Sequence, residues 1–434
     1  MNIAIVGTGY VGLTTGVCLA DFGHTVACID IDAEKIALLQ SGLSPLFETG
    51  LEELMKKNAA EKRLFFTIDF SEGICNAEVV FFAVPTPQGE YGKANLSILF
   101  DAVRTCVPHA KPTAVFVVRS TAPVGTVAKL KEMITGLRND ATLTVASNPE
   151  FLSEGNAVEN FFHPDRVVIG VDDEHAKNVL SEVYRSIVNG EHPLVATTSA
   201  SAEVIKYTAN AFLALKISFM NEIADFCELI GADVKEVARG IGYDKRIGSQ
   251  FLEAGIGYGG SCFGKDTKAL VARGEEQGYE FKIIKALSTV NDSRYAIVLK
   301  KLKKYYPNFS GLRIAVLGLA FKPMTNDVRD TPAERIIFEL IESGASVSVF
   351  DPVAMPGFKK QFSRSGELLF GSSLYDALTG ADACIIITKW NEFKNCDLVK
   401  AHSYMKGNVL IDGRNMFERK DAESAGFRYE GVGR

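Results

Sequence analysis

Short apolar runs, each closed by a glycine, proline or polar turn, recur along the chain and predict the buried strands of parallel sheets. The first is Asn2-Ile3-Ala4-Ile5-Val6, followed by an apolar helical pattern from Leu13 to Phe22. Others run from His24 to Ile29, Val79 to Val84, Ala114 to Val118 and Leu143 to Ala146. The period then changes. Thr198 through Ile230 contains neither proline nor glycine and carries apolar residues at helical spacing, which predicts one long helix stopped by Gly231. A second helical stretch spans about Lys282 to Tyr306. Strand patterns return at Ile314 to Leu317, Val347 to Phe350, Ala383 to Thr388 and Val409 to Asp412. The expected class is α/β, with two parallel-sheet domains joined by a long central helix and a helical middle domain. The expected boundaries are 1–197, 198–306 and 307–434.

The turn after the first strand reads Gly7-Thr8-Gly9-Tyr10-Val11-Gly12, a G-x-G-x-x-G between strand and helix. Such glycines let the backbone approach a pyrophosphate, which then sits on the helix N-terminus. The second strand ends in Asp30, at the distance where an acid meets the adenosine ribose hydroxyls and repels a 2′-phosphate. The first domain is therefore expected to be Rossmann-like and to bind NAD in preference to NADP. The carboxyl-terminal third repeats this strand pattern, with Asp351 ending its second strand, but lacks the glycine fingerprint. Its first loop, Leu319 to Asp330, contains Phe321, Lys322, Asp327 and Arg329, and a later strand delivers Arg414. An aromatic and cations suit a nucleoside diphosphate better than a dinucleotide.

Length and composition narrow the class. The 434 residues exceed one ordinary core. A net charge of −6 argues against nucleic acid and anionic membranes as partners and leaves a small-molecule ligand. The eight cysteines show no C-x-x-C pair and no metal-ligand spacing, so no metal is expected and the thiols read as reduced and cytoplasmic.

Chemistry concentrates in Gly257-Tyr258-Gly259-Gly260-Ser261-Cys262-Phe263-Gly264-Lys265-Asp266, a loop suited to presenting Cys262 as a nucleophile. These ten residues alone leave open a cysteine that packs beside a tight turn. On the long helix Lys206 and Asn210 stand four apart on a face otherwise prepared for burial, where a lysine either meets a ligand or snorkels to solvent. Asn148 and Pro149 suit a helix start, placing Glu150 and Glu154 one turn apart on one face. The strand-end turns holding Thr86 and Thr121 are expected to face the cofactor.

Together these motifs resemble the UDP-glucose/GDP-mannose dehydrogenase family over essentially the whole chain. The match rests on the Gly7 fingerprint, Ser120 to Thr126, Asn148 to Gly155, Lys206 with Asn210, the Cys262 loop, and Phe321-Lys322 through Arg329. The resemblance implies two successive oxidations of a sugar C6 alcohol to a carboxylate, with two NAD⁺ and one water. It implies Cys262 as nucleophile, Lys206 and Asn210 as oxyanion stabilisers, Asp266 with Thr121 as proton relay, and Glu150 as base for thioester hydrolysis. Gly7, Gly9, Tyr10, Val11, Gly12, Asp30, Lys35, Thr86, Thr121, Glu154, Lys265 and Arg329 correspond to cofactor-side positions. Glu150, Phe151, Leu152, Glu154, Phe251, Leu252, Gly255, Tyr258, Gly259, Phe321, Lys322 and Arg414 correspond to the UDP-sugar side, with Arg246 arriving from a neighbouring subunit of a homodimer built on the middle helices. UDP-glucose is the favoured substrate, GDP-mannose or a UDP-N-acetylhexosamine the alternative, and a non-catalytic nucleotide sensor the reading from another class. The chain departs from the family at Gly264, where proline is common, and at Arg119, where lysine is.

Overall fold

A computed structural model of the chain describes residues 1–138 and 143–434. It is α/β and divides into two compact units, Met1–Ala209 with Lys268–Glu280, and Asn210–Thr267 with Phe281–Arg434. The long helix Ser199–Ile230 forms as its periodicity predicts, and the division falls within it.

The first unit holds an eight-stranded sheet. From one edge its strands are Leu64–Thr67, Thr25–Ile29, Asn2–Val6, Val79–Phe82, Val115–Val118, Thr144–Ser147, Val167–Gly170 and Leu194–Thr197. All neighbours are parallel except at Ser147 and Gly170, which pair antiparallel. Alternation explains why these strands are apolar throughout. Ile3, Ile5, Val79 and Phe81 enter a core on one face. Ala4, Val6, Val80 and Phe82 enter another core on the opposite face, so both sides of these central strands are buried.

The second unit holds six parallel strands, Leu368–Phe370, Ser346–Phe350, Arg313–Leu317, Ala383–Ile386, Val409–Asp412 and Arg428–Glu430. Numbered within its own unit, each sheet begins 3-2-1-4-5-6, with its crevice beside the first strand. The resemblance extends to the turns. Gly7 and Gly318 both have φ +99, and each donates its N–H at 2.8 Å to the last residue of the neighbouring strand, Ile29 and Phe350. Thr8 N–H then reaches Asp30 and Leu319 N–H reaches Asp351, both at 2.8 Å. The second half thus keeps the first glycine of the fingerprint and loses the others. Its acid is also sealed, because the Trp390 indole donates to Asp351 Oδ2 at 3.0 Å.

One expected helix is broken. Lys282 to Tyr306 forms Lys282–Ser293 and Ala296–Lys303. At the break Arg294 closes a turn onto the Asn291 carbonyl at 3.1 Å and sends its side chain to the Gly255 carbonyl at 2.8 Å and to Asp225 at 2.5 Å. Among the described residues no helix is long and apolar enough to cross a membrane.

Candidate active site

The three fingerprint glycines in the first unit meet different demands. A Cβ on Gly7 would lie 2.7 Å from the Ala83 carbonyl oxygen, and one on Gly12 only 1.9 Å from that of Gly7. Both positions are closed by backbone packing. A Cβ on Gly9 would meet nothing within 4 Å. This open space lies at the N-terminus of the helix Tyr10–Asp21, where unpaired N–H groups and the helix dipole favour phosphate, so the corner fits a dinucleotide. Val11 occupies the helix's first turn. Asp30 accepts from the Thr8 N–H and hydroxyl and from Lys35 Nζ at 2.8 Å. Burial pushes its carboxyl up, but Lys35 and Thr8 outweigh this and hold it below its ordinary value.

Around the same sheet end, the Thr86 hydroxyl donates to the Thr121 carbonyl at 2.8 Å and fixes that loop. The loop's far end is capped from the long helix, where buried Glu203 accepts from the N–H groups of Gly125 at 2.7 Å and Val127 at 3.0 Å. One turn further along, Lys206 Nζ lies 2.9 Å from Glu150. Burial raises the Glu150 carboxyl, yet the charge and hydrogen bond of Lys206, the Leu152 N–H and the charge of Arg119 bring it below its ordinary value.

The helical turn expected to align Glu150 with Glu154 is absent. Residues 149–153 form an irregular loop and the helix starts only at Ala157. Asn148 cannot act as the cap because its amide is already committed. It donates to the Val168 carbonyl at 2.7 Å, while its oxygen accepts from Arg119 at 2.8 Å and Tyr184 at 2.5 Å. Glu150 instead folds back onto the Leu152 N–H at 2.6 Å. Phe151 stacks under the guanidinium of Arg166, 3.6 Å from its ring centre, with Lys206 Nζ at 5.4 Å. Glu154 is half-buried beside Gly155, whose φ is +83.

In the second unit Cys262 is exposed immediately before the helix Phe263–Glu276, and its carbonyl accepts the Asp266 N–H at 2.8 Å. Sulfur and carboxylate therefore stand one turn apart at the positive end of a 14-residue helix. Asp266 is buried and accepts from Asn210 Nδ2 at 2.6 Å and Lys265 Nζ at 2.8 Å. Lys206 and Asn210, neighbours on one helix, thus serve different carboxylates. Five of the other cysteines are buried, and their thiols are pushed above the ordinary range by burial.

The glycines Gly259 and Gly260 of the thiol loop are closed by the chain's own packing. A Cβ on Gly259 would lie 2.3 Å from the Asp330 carbonyl oxygen, and one on Gly260 would strike the Phe321 ring at 2.7 Å. The space is filled by the chain's own Phe321 to Asp330 loop. Tyr258 N–H donates to Asn291 at 2.8 Å, and burial raises its phenol to about 12. Arg414 donates to the carbonyls of Ile387 at 2.7 Å and Gly257 at 2.8 Å, and burial lowers its guanidinium to about 10. Leu252 spends its side chain in the core with Met220 and Val432, and Gly255 is held by Asn221. Phe251 adopts φ +63 and is partly exposed. Lys322 lies over the Phe321 ring. Arg329 forks onto Asp327, and Arg246 is exposed and forks onto Asp244.

Sequence reasoning passed over Glu48, Glu203 and Arg294. Each acts on backbone groups far away in sequence, and no local pattern marks such a partner.

Three family models match in order along the chain. They are the NAD binding domain over residues 1–188, the central domain over 200–293 and the UDP binding domain over 315–419, all of the UDP-glucose/GDP-mannose dehydrogenase family. A UDP-glucose 6-dehydrogenase of Rhizobium meliloti is 46% identical, with 100% of both chains covered. A UDP-glucose dehydrogenase structure from Pyrobaculum islandicum superimposes with a TM-score of 0.92 at 36% identity, covering 99% of this chain and 97% of that one. A UDP-D-ManNAc dehydrogenase from Pyrococcus horikoshii gives 0.88 at 28% identity, covering 100% and 99%. With a dinucleotide corner, a thiol at a helix N-terminus and all three domain models present in sequence, the chain belongs to the UDP-glucose/GDP-mannose dehydrogenase family.

Proposed function

We propose that the chain oxidises UDP-glucose at C6 to UDP-glucuronate, with two NAD⁺ and one water consumed and three protons released. The observation that carries this reading is Cys262, an exposed thiol at a helix N-terminus one turn from the buried Asp266. A thiol is superfluous for making an aldehyde and useful for oxidising one. Added to the aldehyde carbon, Cys262 forms a thiohemiacetal that still has a hydride to give, and loss of that hydride leaves a thioester. Water opens the thioester, releasing the carboxylate and returning the thiol. NAD⁺, when bound at the Gly7 to Gly12 corner, accepts one hydride in each oxidation.

The chain's own groups suit the remaining tasks. Lys206 supplies positive charge, and Asn210 an amide donor, for the oxygen that becomes anionic on C6. Glu150, kept ionised by Lys206, is a base for the attacking water, while Asp266 and Thr121 handle protons. Arg414, Phe321 and Lys322 offer cation and ring to the uridine diphosphate. We assign the three domains to 1–197, 198–306 and 307–434, and the chain to the cytoplasm as a homodimer. Phe212, Phe219 and Phe226 support the dimer, because they repeat every seven residues on the long helix and are all exposed.

NADH counted per nucleotide sugar tests the reading. UDP-glucose should yield two, and Cys262→Ser should abolish net acid formation. Turnover with GDP-mannose or a UDP-N-acetylhexosamine alone would refute the substrate, and an unchanged Cys262→Ser enzyme would refute the mechanism.

A further inference from the structure

The loop carrying Glu150 and Glu154 is irregular, so something must hold it. Lys206 holds its start. Its end is held by Glu48, a buried residue from the turn before the helix Leu51–Ala60. Glu48 Oε2 accepts the Gly155 N–H at 2.8 Å, and Oε1 accepts that of Ala157 at 2.8 Å and, at a longer 3.4 Å, that of Val158. The Tyr10 hydroxyl donates to the same Oε2 and also lies 2.5 Å from the Gly155 nitrogen. A single carboxylate therefore gathers three backbone donors and a phenol, an arrangement that a neutral side chain cannot reproduce. Tyr10 is the first residue of the helix whose N-terminus receives the dinucleotide. One cluster thus joins the cofactor corner to the loop after Glu154.

We propose that Glu48 is a positioning residue that fastens the Phe151 to Gly155 loop to the first turn of the dinucleotide helix, so that NAD⁺ binding orders the loop on which the nucleotide sugar relies. The inference rests on the oxidation proposed above. Its mechanism is local. NAD⁺ immobilises the helix start and with it the Tyr10 ring, and the phenol then restrains Glu48 and the Gly155 and Ala157 amides that Glu48 binds. Two sites coupled in this way must favour each other's ligand reciprocally.

Hydrogen exchange by mass spectrometry on the full chain, with and without NAD⁺, tests this independently of turnover. In the parent protein NAD⁺ should slow exchange of amides 152–158 about tenfold. In Glu48→Gln those amides should exchange at least tenfold faster and gain no NAD⁺-dependent protection. Tyr10→Phe keeps the amide bonds to Glu48 and covers the case in which Glu48→Gln fails to fold. It should retain basal protection and lose the NAD⁺-dependent part. In kinetics at saturating NAD⁺, the KM for UDP-glucose should rise about tenfold in Glu48→Gln, while NAD⁺ affinity measured without nucleotide sugar changes less than twofold. A lowered Tm with a parental KM and parental NAD⁺-dependent protection would make Glu48 merely structural and overturn the proposal. A parent enzyme inactive on UDP-glucose would refute the oxidation reading and leave the exchange result standing.

Discussion

Replacing Lys206 by methionine removes the cation from a pair whose side chains are 5% and 7% exposed, 2.9 Å apart. Keeping only the Leu152 N–H and the charge of Arg119, Glu150 escapes the cost of a buried charge by taking a proton. Beyond the stabilisation that Lys206 gives the parent, the added penalty is therefore capped by the work of protonating a carboxyl whose ordinary value is 4.5. That work is about 1.4 kcal/mol per pH unit, or about 3 kcal/mol at pH 7 and under about 1 kcal/mol at pH 5. In the parent chain Glu150 titrates below its unfolded value, so the stabilisation is complete above that value and lost as pH falls through the folded one. In the variant burial is expected to outweigh the Leu152 N–H and the charge of Arg119 and to raise the carboxyl above its unfolded value, so that the penalty grows as pH rises. Urea unfolding by circular dichroism at pH 5, 6, 7 and 8 should show the stability gap opening with pH. The double variant Lys206→Met/Glu150→Gln, which buries no charge, should recover at least half of it at pH 7. A gap of constant size, or a double variant no more stable than the single one, would refute the reasoning. Turnover should fall about 10²- to 10³-fold while NAD⁺ affinity holds, since an oxyanion donor acts in the chemical step.

The fingerprint glycines should separate by effect. Gly9→Ala should fold with a parental Tm and bind NAD⁺ at least tenfold more weakly in calorimetry, because its Cβ enters space open in the protein alone. Gly12→Ala, 1.9 Å from a carbonyl oxygen, should lower the Tm by several degrees. Phe219→Asp should convert a dimer to a monomer in sedimentation velocity, and a parental profile would exclude the long helix as the interface.

Strands and helices were legible where burial imposes a period. The apolar runs at Asn2 and Val79 and the glycine-free stretch to Ile230 could hardly be read otherwise. The Glu150 to Glu154 turn misled because local propensity was outbid. Asn148 would cap a helix in isolation, but here Arg119, Tyr184 and the Val168 carbonyl claim its amide. The site was legible as residue types in motifs, and not as partners. Nothing near Asn210 indicates that it would face Asp266 while Lys206 faces Glu150. Glu48 sits in Ser44-Pro45-Leu46-Phe47-Glu48-Thr49-Gly50, where its solvent-like surroundings in sequence conceal burial against amides more than a hundred residues away.

The twin turns at Gly7 and Gly318 give this chain an internal control. A substitution at Gly7 confounds two effects, since it disturbs both the fold and a ligand corner. Gly318 has the same φ of +99 and the same 2.8 Å hydrogen bond, in a corner whose acid is occupied by Trp390. Alanine at Gly318 therefore measures the combined conformational and steric cost of such a turn away from the dinucleotide corner. Its Cβ would fall 2.5 Å from the Thr388 nitrogen, as that of Gly7 would fall 2.7 Å from the Ala83 carbonyl oxygen. The binding share at Gly7 can be separated against that cost within one molecule.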